Sequence, residues 1–116
     1  MADAVAPPGR LIAVDGSRGR DVAEAAEALA GELRGRGVTC GISRWDASGI
    51  FHELALAGRG ESAVSPRTLT LAYIADLAFR LRWEITPILR EGGIVIAAPY
   101  IETAVALAAA CGVPEA

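Results

Sequence analysis

From Asp15 to Arg20 the chain reads Asp-Gly-Ser-Arg-Gly-Arg, a glycine-spaced loop of the kind whose backbone amides cradle a phosphate at a helix start. Residues 11–14 are apolar and predict a short buried strand before the loop, and a helix with apolar positions every three to four residues follows it. Strand, glycine loop and helix in that order open a phosphate-binding α/β protein. The catalytic chemistry is missing, however. All eleven basic residues are Arg and none is Lys, so a mechanism that needs an ammonium group is excluded. Arg18 and Arg20 are bidentate donors able in principle to replace it, but the reading adopted is two solvated loop arginines.

The other titratable residues stand alone. Asp15, at the C-terminal end of the first strand, lies where α/β proteins build sites, but a lone Asp there is expected to form the turn. Asp46 and Asp76 are also single carboxylates. His52 has no Cys or paired carboxylate at ligand spacing and is assigned a surface or capping role. Cys40 and Cys111 are too isolated for a disulfide framework or a thiolate site and count as small buried side chains, so no metal site is expected.

The elements that must position these residues follow from punctuation and period. Residues 1–9, with Pro7-Pro8-Gly9, form a leader, and 10–116 form one domain. Asp21 with Glu24 three positions on predicts a capping box, so the first helix should begin there and end at Gly35 and Gly37. A strand over 38–43, a polar corner at Arg44-Trp45-Asp46, a helix over 48–57 and a loop over 58–64 come next. Ser65-Pro66 starts a long helix over 66–90, kinked at Pro87. Its apolar residues, among them Leu69, Tyr73, Phe79 and Trp83, surround it, so it should bury one side on the sheet and offer the other to a partner. Residues 94–98 form a continuous apolar strand of the parallel kind, and a helix over 101–111 closes the pattern. The order β-α-β-α-α-β-α predicts a parallel sheet of about three strands with helices on both faces and a bare edge.

Composition narrows the function classes. A hydrophobic content of 53% against 22% charged residues marks a globular chain. A net charge of -3 with scattered Arg leaves no footprint for nucleic acid. No apolar run is long enough for a membrane span and the N-terminus lacks a signal-peptide pattern, so the expected compartment is the cytoplasm.

Over 14–37 and again from Ser65 to about Ala104, the sequence resembles thymidylate kinase, the P-loop enzyme that transfers the γ-phosphate of ATP to dTMP. The family pattern, an acidic residue and Gly followed by x-D-G-x-G-K-S/T-T, finds Asp15-Gly16 and Gly19 at its acidic and glycine positions, and Arg34-Gly35-Arg36-Gly37 matches the R-x-R-G helix end. Ser65-Pro66-Arg67-Thr68, Leu69 to Leu71 and Ile74-Ala75-Asp76 match S-P-R-T-x-x-L-L-F-A-A-D-R, with Tyr73 at the ring that stacks on thymine. Arg44 takes the position of an Arg after the second strand and Tyr100 that of the Tyr in D-R-Y. The resemblance implies a three-layer P-loop fold, a vestigial nucleotide loop at Asp15, Gly16, Ser17, Arg18, Gly19 and Arg20, and substrate-pocket equivalents at Arg44, Tyr73, Asp76 and Tyr100. It covers roughly the first half of a family member, so the sheet is expected to be incomplete.

The departures fall on the catalyst. Val22 stands at the P-loop Lys, Ala23 at the magnesium-binding hydroxyl, Arg18 at the loop Asp, Leu77 at the phosphate-gripping Arg, and Ala98-Pro99 at the D-R pair. Phosphoryl transfer is mostly positioning and charge neutralisation, and one lost group of this kind costs on the order of 10²–10³ in rate. The resulting expectation is a degenerate kinase-like protein with no catalytic residues and no cofactor. It would act as a structural or regulatory partner, as a homodimer or with a related kinase-like chain, through Leu69, Tyr73, Phe79 and Trp83. The alternatives are an active dTMP kinase with an atypical loop, using ATP and Mg²⁺, or a nucleotide-binding module without turnover.

Overall fold

In the computed structural model residues 8–57, 65–110 and 112 are described. The order is β1 (Arg10–Ala13), α1 (Gly19–Gly35), β2 (Cys40–Arg44), α2 (Ile50–Ala57), α3 (Pro66–Arg80), a π-helical segment (Leu81–Ile85), α4 (Thr86–Arg90), β3 (Ile94–Ala98) and α5 (Ile101–Ala110). The expected loop over 58–64, Cys111 and residues 1–7 of the expected leader lie outside the described residues. Gly9, assigned to that leader, instead packs on α4. A Cβ there would lie 2.5 Å from Leu89 Cα, an approach that only glycine permits.

The three strands are parallel in the order β1-β3-β2. Arg10 pairs with Ile94 on one side of β3, and Cys40 pairs with Ile94 on the other. The central strand is buried on both faces, which explains its unbroken apolar run. Ile96 and Ala98 face Val22, Ala26 and Ala30 of α1, together with Cys40. Val95 and Ala97 face Ile85 of the π-helical segment, with Ile88 and Leu89 of α4 beside it. Helices therefore cover both faces of a three-stranded parallel α/β sheet, as expected for part of a P-loop kinase-like fold. Among the described residues no helix is long and apolar enough to cross a membrane.

Three expectations are corrected. First, α1 starts at Gly19 with Arg18 as its extended N-cap (φ -121°, ψ 120°), and no side chain caps it. Asp21 is an exposed first-turn residue, and the capping box does not form. Burying Val22 against the sheet brings it into the first turn, so the helix must begin before Asp21. Second, the long helix starts as expected, with Ser65 Oγ accepting from Thr68 N, but it does not simply kink at Pro87. Its turn widens over Leu81–Ile85, where Thr86 N donates to Leu81 O, giving room to the ring of a residue that has no amide of its own. Third, Leu69 and Tyr73 do not belong to the outward face. Tyr73 is 3% exposed, whereas Leu71 (60%), Ile74 (48%), Phe79 (38%) and Trp83 (62%) form the solvent side of this helix.

Candidate functional site

Parallel order brings the C-terminal ends of all three strands to one side, and the loops that leave them meet there. A cavity of about 630 Å³ opens between these loops and α1, α3 and α5. Gly16, Ser17 and Gly19 reach it from the loop after β1, Arg44 from β2 and Tyr73 from α3. The structure therefore gathers residues that the sequence places far apart. Of the other expected site residues, Arg18 and Arg20 are exposed side chains outside the lining, and Asp15, Asp76 and Tyr100 do not line it either.

The loop is closed from beneath by a hydrocarbon. Val22 is 4% exposed, and a Cβ on Gly16 would lie 3.0 Å from Val22 Cγ2. Ala23 lines the same space, as do Ala98 and Pro99 across it. Asp15 does more than turn the chain: its Oδ1 accepts from Tyr100 N at 2.7 Å, from Thr103 N at 3.2 Å and from the Thr103 hydroxyl. It thereby caps α5 and ties the loop after β1 to the loop after β3. Arg44, at the rim, pairs with Glu27 of α1, both half-exposed.

Asp76 binds backbone in place of a ligand. It is fully buried, and its two oxygens accept from Asp46 N and Ser48 N, each at 2.9 Å, and from Ser48 Oγ at 2.6 Å. Asp46, at φ 62°, accepts in turn from Phe51 N and His52 N and so caps α2. His52 contributes only that amide, its side chain being exposed, in line with the surface or capping role.

Arg80 escaped the sequence reading. It is fully buried one turn beyond Asp76, where its Nε donates to Ser43 Oγ at 2.9 Å and its Nη2 to Ser43 O at 2.9 Å and Pro99 O at 2.6 Å. Ser43 Oγ donates on to Glu84 at 2.7 Å, so the hydroxyl couples the buried cation to a carboxylate. Arg80 Nη1 has no partner. The available signal was a charged residue on the helical stripe of Tyr73 and Leu77, which marks a buried charge that needs partners.

Tyr73 OH donates to Tyr100 O at 3.0 Å. Burial raises its phenol above the ordinary 10.0; the Arg80 guanidinium opposes that rise and the Asp15 carboxylate adds to it. Because the folded pKa exceeds the unfolded one, the stability held by the neutral phenol is complete below about pH 10 and is lost as pH rises through the raised value. Urea midpoints measured across that alkaline window should fall for the natural chain, and Tyr73→Phe should reduce the slope.

No protein-family model matches the sequence. Two curated thymidylate kinases, from Xylella fastidiosa strains M12 and M23, are each 28% identical to it over 114 residues, 98% of this chain. The chain is thymidylate-kinase-like. It spans about half the length of the curated relatives it matches, 52% of each. On this thymidylate-kinase-like frame the first turn of α1 presents the aliphatic Val22 and the methyl of Ala23 to the cavity. The donor set does not fit a magnesium-bound triphosphate. Val22 packs beside Gly16, no hydroxyl follows it, and among the described residues no three His, Cys, Asp or Glu cluster at metal-binding distance.

Proposed function

We propose that this thymidylate-kinase-like chain has lost phosphoryl transfer and serves as a structural or regulatory partner in the cytoplasm. The observation that supports it most is Val22, an aliphatic side chain packed under Gly16 in the place of the P-loop lysine. Ala23, Leu77, Ala98 and Pro99 extend the same trend from the charged and hydroxyl-bearing family positions to apolar ones. Association would use the outward side of α3 and the segment after it. Leu71, Ile74, Phe79 and Trp83 make a larger apolar face there than a solvated helix needs. The partner is a second copy or a related kinase-like chain.

Calorimetric titration with ATP, Mg²⁺ and dTMP, combined with an assay of ADP release, tests the first part. Neither heat nor turnover is expected. Turnover would establish an active dTMP kinase, and binding without turnover would establish a nucleotide-holding module; either overturns the proposal. Sedimentation tests the second part. The chain should run larger than one copy, or become so with a kinase-like partner, and Leu71→Glu/Ile74→Glu should return it to a monomer.

A further inference from the structure

The cavity keeps its volume while its charged groups are engaged elsewhere. About 630 Å³ lies within the range that holds small organic ligands. Val22, Ala98 and Leu107 give it aliphatic walls, and Trp45, Phe51 and Tyr73 give it rings. Trp45 and Phe51 pack with centroids 4.9 Å apart and planes tilted by 38°, and Trp45 remains 52% exposed. The nearby titratable groups already have partners: Arg44 has Glu27, Asp15 has Tyr100 and Thr103, and the Tyr73 hydroxyl has the Tyr100 carbonyl. A charged ligand entering here would lose its hydration without a free counter-charge, whereas a flat apolar one would lose nothing and stack on rings.

We infer that this cavity binds an uncharged, flat aromatic molecule of about two rings, held between the Trp45–Phe51 pair and the aliphatic floor at Val22. The inference rests on the reading that the phosphate chemistry has been lost. Its ligand class is nevertheless different from a nucleotide, because the one cation of the lining among the described residues, Arg44, is paired with Glu27.

The test uses N-phenyl-1-naphthylamine, a neutral fluorophore, with the full chain. Trp83→Phe protein leaves Trp45 as the reporting indole. The probe's emission should rise and shift to the blue while Trp45 is quenched, with saturation at micromolar concentration. Ala23 is exposed but lines the cavity, so Ala23→Arg should leave the melting curve intact and weaken binding at least tenfold. Val105→Ser, exposed on α5 and outside the lining, should leave it unchanged. Absence of saturable binding, indifference to Ala23→Arg, or loss through the α5 variant would each overturn the inference while leaving the proposed function standing. Displacement of the probe by ATP or dTMP would overturn both, and no displacement is the expected result.

Discussion

Asp76→Ala should destabilise the chain by about 3–5 kcal/mol, a large part of the roughly 5–15 kcal/mol that holds a domain of this size together. The carboxylate is fully buried and binds two backbone amides and one hydroxyl of the corner after β2. Without it, Asp46 N and Ser48 N lose their acceptor, and Asp46 loses the anchor that points it at the amides of α2. Asp76→Asn should cost less, about 2–3 kcal/mol, because one oxygen survives but an NH₂ then faces a donor. Denaturant midpoints measure both, and near-ultraviolet dichroism of Trp45 reports whether the corner loosens. A midpoint for Asp76→Ala within experimental error of the natural chain would refute this assignment.

Arg80→Met should lower stability by about 3–5 kcal/mol, because one partner of a buried polar network is removed and the others stay behind. Ser43 Oγ and the carbonyls of Ser43 and Pro99 lose their donor, and Glu84 keeps a negative charge beside an unbalanced hydroxyl. Arg80→Lys should not rescue fully, since an ammonium lacks the planar fork that reaches both β2 and the chain after β3. If Glu84 is the balancing charge, Arg80→Met/Glu84→Leu should be more stable than the sum of the single changes, with a coupling on the order of 1–3 kcal/mol. Strict additivity would show that Glu84 takes no part.

The frame was visible in the sequence wherever a local rule agreed with the packing. The 94–98 run is apolar without alternation because helices cover both faces of β3. Ser65-Pro66 starts α3 because the hydroxyl accepts from Thr68 N while proline needs no acceptor. The start of α1 was misplaced because a local capping pattern at Asp21 competed with the burial of Val22, and packing prevailed. The site was legible as positions and not as bonds. Asp15 and Asp76 each stood out as lone carboxylates, but their partners, Thr103 and Ser48, lie far along the chain, where no spacing rule reaches. Arg80 is the cation on the buried stripe of α3, and its partners Ser43 and Pro99 lie on other elements, again beyond any spacing rule.

Strand order also constrains how the molecule is made. Arg10 and Cys40 both find their pairing partner in Ile94, and β1 and β2 never touch each other in the ladder. A nascent chain on the ribosome can therefore wind α1 and α3 early but has no sheet until β3 emerges, after both of its neighbours. Until then the faces of α1 meant for β3 stay wet, the situation in which a holding chaperone is most useful.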